Sequence, residues 1–426
     1  MLFARKGRGW GSVRALPIRR ALRGAQERYD GTPFEIYLPD GGRLRFGLGA
    51  PAIKIHFGTW VAAYDAWLRG HLGVGEAYVR REVGFEGDLE DGLTALTELF
   101  LQGGVVPLEG LPARAARSLR RDREEDVALG DAYGDDFHRL YLDRKLQRSC
   151  GYFRTPADSL DVAQEQRLAH TLRRLALRPG QRLLDIGCGW GHLMLQAAET
   201  HGVECLGITR SESQAAYVRE QAAARRLPVK VRVMDHLELQ ERAGFERVVS
   251  VGMMSPGGER RIDRFWDQVK ALLTPGGICL LHCVAVRKES PGADPFMPGH
   301  AFPGRWLGSL DGVVSRAADR GLHVLDVENL RRHSALTAHA WRQSFLRRHA
   351  EIQRAAEASE AFMRGWDFHL ASVVAGFRAG HLSLLQTVLS HGLQEDYPLT
   401  REALYAGERD ANGLAARWGL RMVPPP

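Results

Sequence analysis

The run Leu183-Leu184-Asp185-Ile186-Gly187-Cys188-Gly189-Trp190-Gly191 constrains this chain more than any other stretch, because an apolar strand carrying an acid breaks into three alternating glycines. Glycine adopts positive φ at little steric cost and has no Cβ, so the ribose and charged tail of a ligand can reach exposed backbone amides. Spacing selects among such ligands. A dinucleotide fold needs a third glycine further on, opening the helix beneath a pyrophosphate, and usually an acid at the end of the next strand. Here the glycines are Gly187, Gly189 and Gly191, and the next strand, Glu204 to Ile208, runs into Thr209. The pattern favours S-adenosyl-L-methionine over a nicotinamide dinucleotide; the plain alternative is a glycine-rich turn that binds nothing.

The chain around this loop alternates strands and helices. Strands are expected at Arg182 to Ile186, Glu204 to Ile208, Val229 to Met234, Arg247 to Val251 and, after Pro275-Gly276-Gly277, Ile278 to His282. Helical periodicity separates them at His192 to His201, Ser211 to Ala224 and Arg261 to Leu273. The expected class is α/β, a Rossmann-like parallel sheet with helices on both faces and ligands at the carboxyl ends of its strands. Upstream, Phe34 to Phe46 alternates around Asp40-Gly41-Gly42 as a β-hairpin does. Helical patterns follow at Trp60 to His71 and Leu89 to Leu101, with Gly73 to Gly87 read as loop and short strand, which makes a small α/β N-terminal domain.

With 426 residues, more than one unit with its own core is expected. The expected division is a basic arm at 1–30, an N-terminal domain at 31–105, a proline- and arginine-rich linker at 106–128, the main domain at 129–395 and a tail at 396–426. The formal charge of +7 points to an anionic partner, either nucleic acid or an anionic membrane surface. The first 28 residues hold eight Lys or Arg and one acid, interleaved with apolar residues, so an arm lying on anionic lipid and a disordered basic tail are both open. No apolar run approaches the roughly 18 residues of a membrane span. Five cysteines without a CxxC pair suit a reducing cytoplasm, and no metal site is expected.

Several segments together resemble the cyclopropane-fatty-acyl-phospholipid synthases, a family of S-adenosylmethionine-dependent enzymes that includes the mycolic acid methyltransferases. The resemblance runs from about Phe34 to Gly392. It rests on Gly75-Glu76-Ala77-Tyr78, Glu86-Gly87-Asp88-Leu89, Ser149-Cys150-Gly151-Tyr152-Phe153, Leu184 to Gly191, Gly207-Ile208-Thr209-Arg210-Ser211 with Gln214, Val249 to Met253, Leu280-Leu281-His282, Phe302-Pro303-Gly304, and Phe377-Arg378-Ala379 with Gln386. It implies a class I methyltransferase domain, with a small N-terminal domain that binds lipid, delivering methyl to a cis double bond in a phospholipid acyl chain. An alkene is a poor nucleophile, so donor and acceptor must be held in line at near contact in a dry site. By the resemblance Gly187, Gly189 and Gly191 line the methionine portion with Ser149 nearby, and Asp185 belongs to the same set. Thr209, Arg210 and Gln214 then meet the ribose side, and Asp235 with His236 flanks the adenine. The implied partner is unsaturated phospholipid, with the protein cytoplasmic and peripheral to the inner face of the membrane. Nucleic acid is set aside, since no Asn-Pro-Pro-Tyr-like site or nucleic-acid module is present. The sequence permits a homodimer and says nothing more of assembly.

The chain departs from the family where a ring would be closed. The family uses bicarbonate as base, held by a Cys, a Glu, a His, a Tyr and a backbone group. Cys150 and His282 match, and Val284 takes the backbone position; Ser255 stands at the Glu and Ser334 at the Tyr. The usual His-Tyr-Asp run before Gly134-Asp135-Asp136-Phe137 is also absent. Losing the Glu and Tyr removes two groups that orient bicarbonate, which is therefore doubtful here. Methyl attack needs no bicarbonate, so the expected change is in the fate of the resulting cation. Loss of a proton from an adjacent chain carbon, directly or after a hydride shift, gives a methyl-branched, still unsaturated chain. His282 is the candidate general base, although a structural histidine fits as well, and Cys150 can simply pack as a small apolar residue. The alternatives are a cyclopropane synthase with a rebuilt base site and a catalytically silent lipid-binding protein.

Overall fold

The structure is a computed structural model that describes residues 11–102, 134–252, 259–287 and 308–405. The expected linker at 106–128, Ser255, the Phe302-Pro303-Gly304 motif and most of the tail lie outside the described residues. Two sheets organise the chain. The first has the order β2-β1-β3-β4, with β1 Phe34–Tyr37, β2 Arg43–Phe46, β3 Ile53–Phe57 and β4 Val83–Glu86. The expected hairpin is there: β1 pairs antiparallel with β2, and Asp40 Oδ1 accepts from the Gly42 amide at 2.9 Å in the turn. In β3, Ile53, Ile55 and Phe57 are buried while Lys54 and His56 face outward, the period of a half-buried strand.

Against this sheet pack the helices Trp60–Arg69 and Leu89–Leu101, which begin where Thr59 and Asp88 accept from their first-turn amides. Gly73 to Gly87 differs from the expected loop. Gly70, at φ +57°, ends the first helix, and a second helix, His71–Val79, follows it before β4. Its glycines serve contact: a Cβ on Gly73 would lie 2.1 Å from the Asp65 carbonyl oxygen. Glycine, which disfavours a helix in isolation, is here what lets two helix backbones approach. The basic arm is corrected as well. Residues Gly11–Gln26 form a helix that buries Ile18, Leu22 and Ala25 in the N-terminal core and leaves Arg20 and Arg23 exposed.

The second sheet has the order β10-β11-β9-β8-β5-β6-β7. Its strands are β5 Arg182–Ile186, β6 Glu204–Thr209, β7 Val229–Val233, β8 Phe245–Val251, β9 Leu273–Val286, β10 Leu322–Asn329 and β11 Leu382–His391. β7, β6, β5, β8 and β9 run parallel, as expected; β11 is inserted antiparallel between β9 and β10. The order reverses between β5 and β8, so the loop after β5 lies at the switch point where such sheets bind ligands. Pro275-Gly276-Gly277 lies inside β9, where the pairing with β8 shifts register.

Helix Glu360–Arg378 belongs to both units, since Phe368, Ala371 and Ala375 complete the N-terminal core. A buried charge cluster joins them. Glu90, 1% exposed, accepts from His339 Nδ1 at 2.8 Å, Arg342 Nη1 at 3.3 Å and Arg378 Nη2 at 3.0 Å. Burial raises its carboxyl, but these hydrogen bonds and the Arg378 and Arg342 charges outweigh it and hold the carboxyl below the usual carboxylate range. A lowered carboxyl stabilises the fold fully above its unfolded value, about 4.3, and loses that contribution as pH falls through the folded value. Glu90→Gln should therefore lower stability at neutral pH by roughly 3 kcal/mol or more and flatten the acid limb of a stability profile from denaturant unfolding. An acid limb as steep as in the parent protein would remove Glu90 from that role.

Candidate active site

β5 delivers the glycine loop. Its residues Leu183 to Ile186 are buried between β6 and β8, and the chain then turns through Gly187, Gly189 and Gly191 at φ +80°, +53° and +72°. The amides of Gly187 and Cys188 both donate to the Ile208 carbonyl, which pins the loop to β6. Helix His192–His201 starts at Gly191 with no side-chain cap, so the amides of its first turn are presented to whatever occupies the cleft. A Cβ on Gly189 would meet no atom within 4 Å, which puts this glycine against open space. That cleft brings together Ser149, Asp185, Gly187, Gly189, Gly191 and Gln214, with Arg167, Trp190 and Val251.

Two buried charged residues line the cleft, beside the less buried Lys145 and Arg148. Asp185 is 3% exposed, and burial pushes its carboxyl up to about 7, with the nearby Arg167 guanidinium opposing. Arg167, 5% exposed on helix Leu160–Arg174, donates to Gln164 Oε1 at 3.1 Å and to Gln147 Oε1. Burial lowers its pKa to about 10, so it remains a cation. Sequence reasoning missed Arg167. Its signal was a charged residue amid Leu168 and Leu172, whose buried face was masked by Gln164, His170, Thr171 and Arg174.

The remaining expected residues divide. Thr209 donates to Gln214 Oε1 at 2.7 Å and so orients a side chain that lines the cleft. Asp235 caps the turn after β7, and His236, 2% exposed, packs edge-on against Phe265. Arg210 is exposed. None of these last three lines the cleft.

Behind the cleft, Cys150 and Ser334 come together. Burial pushes the Cys150 thiol up to about 11, and the hydroxyls of Ser334 and Thr337 lie against it. Cys150 is therefore a neutral thiol. Ser334, 4% exposed, also donates to the Leu330 carbonyl at 3.3 Å. His282 is 1% exposed at the centre of the sheet, and burial, with Arg167 and Arg174, pushes it down to about 3, so it is neutral. A base this weak does not suit the general-base role expected of it at neutral pH.

A mostly parallel sheet with one antiparallel strand beside its edge, and a glycine cleft at the switch point, defines the class I methyltransferase architecture. The description "Mycolic acid cyclopropane synthetase" matches residues 119–387. A "Probable fatty acid methyltransferase" of Pseudomonas putida is 31% identical over 343 residues, covering 78% of this chain and 86% of that protein. The cyclopropane-fatty-acyl-phospholipid synthase of Escherichia coli K12 is 32% identical over 268 residues, covering 63% of this chain and 68% of that one. Among solved structures, mycolic acid cyclopropane synthase CmaA1 complexed with SAH and CTAB superposes with a TM-score of 0.56 at 29% identity, covering 61% of this chain and 95% of that one. The chain belongs to the mycolic acid cyclopropane synthetase family, and is an S-adenosylmethionine-dependent methyltransferase.

The cleft fits that cofactor: three left-handed glycines without Cβ atoms, an uncapped helix start and the amide of Gln214 suit a ligand with a carboxylate and hydroxyls. Gly189→Ala should weaken S-adenosylhomocysteine binding at least tenfold by titration calorimetry, since the added methyl projects into the cleft. Its unfolding free energy should fall only by the cost of one left-handed alanine, about 1 kcal/mol. Gly191→Ala should lose more stability, because its Cβ would meet Val218 Cγ2 at 2.6 Å. Unchanged affinity in folded Gly189→Ala would remove the loop from cofactor binding.

Proposed function

We propose that this enzyme methylates the double bond of unsaturated fatty-acyl chains in phospholipid at a membrane surface and gives a methyl-branched product. The lipid class is supported by relatives named for fatty acids, fatty-acyl phospholipids and mycolic acids. The surface is supported by the formal charge of +7 and by Arg20 and Arg23, exposed on the helix Gly11–Gln26. No helix among the described residues is long and apolar enough to cross a membrane.

When bound, S-adenosylmethionine supplies an electrophilic methyl group. An acyl chain that has accepted it carries a positive charge on the neighbouring carbon, and the protein decides where a proton leaves. Loss from the new methyl closes a ring; loss from an adjacent chain carbon leaves a methyl branch and a double bond. The observation that carries the proposal is Ser334, whose short side chain is engaged with the Leu330 carbonyl and Cys150 and cannot span the distance a tyrosine would. Protonated Cys150 beside it and neutral His282 on β9 are both weak bases.

Expression in a host rich in unsaturated phospholipid, fed methionine with a fully deuterated methyl, tests this by mass spectrometry of fatty acid methyl esters. A branched product keeping three deuteriums is expected. A ring keeping two would replace this reading with cyclopropane synthesis, and unlabelled lipid despite intact cofactor binding would remove both. The double variant Ser255→Glu with Ser334→Tyr should raise the ring fraction severalfold; an unchanged ratio in folded protein would count against these two positions.

A further inference from the structure

Pairing across the second sheet aligns four residues in one row: Glu328 on β10, Gln386 on β11, His282 on β9 and Val251 on β8. Val251 lines the cofactor cleft. His282 shares a face of β9 with Leu280 and Val284, since alternate residues of a strand point the same way. Leu280 packs in the cluster that contains Leu168 and Leu172, and Val284 against the cluster that contains Cys150. The row thus leads from an ion-pair network, beneath helix Leu160–Arg174, to the edge of the active site.

The network fixes the hydrogens along this row. Arg174 has no solvent exposure, and it donates to Asp326 Oδ2 at 2.6 Å, Glu328 Oε2 at 2.8 Å and Gln386 Oε1 at 2.8 Å. A guanidinium has no acceptor, so the Gln386 amide must turn its oxygen to Arg174 and its NH2 the other way. That NH2 lies 3.2 Å from Thr171 Oγ1 and 3.4 Å from His282 Nδ1. Nδ1 of His282 is then an acceptor. A neutral imidazole carries one ring proton, which leaves it on Nε2.

We infer that Arg174, acting through Gln386, is a positioning device that holds His282 as the Nε2–H tautomer, so that this histidine offers the site a hydrogen-bond donor and no proton acceptor. Nε2 meets no hydrogen-bond partner among the described residues, so the donor is available to an oxygen of a bound molecule. The arrangement makes His282 unable to take a proton from a methylated acyl chain through Nε2. That catalytic consequence rests on the reaction proposed above, whereas the tautomer stands on the hydrogen-bond geometry alone.

Protein labelled with 15N-histidine, examined by long-range proton–nitrogen correlation, tests it, with the His282 signals assigned by their loss in His282→Gln. The expected spectrum has a protonated Nε2 and a bare Nδ1. In Gln386→Glu, a carboxylate oxygen replaces the donor facing Nδ1, and the proton should move to Nδ1. In Gln386→Met, which removes the donor and adds no charge, the preference should relax to a mixture. A wild-type spectrum with Nδ1 protonated would overturn the inference. So would an Nε2–H pattern unchanged in whichever folded variant is obtained. No substrate is needed, so failure here leaves the acyl-chain reading standing, and failure of the deuterium experiment leaves the tautomer standing.

Discussion

Helix Leu160–Arg174 turns two arginines toward the sheet, Arg167 and Arg174, seven residues and hence about two turns apart. Taking a guanidinium out of water costs several kcal/mol unless its donors are met, and both are met by different parts of the fold. Arg174 is matched by Asp326 and Glu328 on β10 and by the side chain and carbonyl of Gln386 on β11. Arg167 is matched by Gln147, Gln164 and the field of Asp143 and Asp185. One helix thereby holds the antiparallel edge of the sheet and places a cation in the cleft.

This arrangement divides the site by chemistry. Around the cofactor loop the groups are polar and charged, and Asp185, raised to about 7, shares the cleft with a cation that survives well above that pH. Against Cys150, whose thiol is raised to about 11, lie the hydroxyls of Ser334 and Thr337, and His282 on β9 is lowered to about 3. The same burial causes both the raised thiol and the lowered imidazole, because it disfavours whichever form is charged.

What could be read from the sequence was what residue type states locally. Gly187, Gly189 and Gly191 each take positive φ, which glycine tolerates best, and they line the cleft at the switch point. Thr209 is the last residue of β6 and Gln214 lies in the first turn of the helix that follows, two places that the strand–helix alternation marks. The helix His71–Val79 was not, because Gly73 answers to the Asp65 carbonyl of a neighbouring helix, a tertiary contact that local propensity cannot see. Helix Leu160–Arg174 escaped for the opposite reason: its buried face carries Gln164, Arg167, His170, Thr171 and Arg174, which erase the apolar stripe that marks a packed helix. The N-terminal helix did show Ile18, Leu22 and Ala25 at helical spacing, but its density of arginines made an arm the readier interpretation.

Ser334, His339 and Arg342 lie on one helix, Arg331–Arg347. Its first turn sets Ser334 against Cys150, and eight residues on, about 12 Å along the axis, Arg342 grips Glu90 of the N-terminal unit and Asp367 of helix Glu360–Arg378. The contact with Cys150 and the attachment of the N-terminal unit are therefore two ends of a single helix. Buried ion pairs resist displacement because a partial separation exposes neither charge to water and lowers neither cost. A movement of the N-terminal unit must then either carry this helix with it, and Ser334 with the helix, or break the Glu90 cluster outright. The short side chain at 334 lies at the end of the element that would feel such a movement.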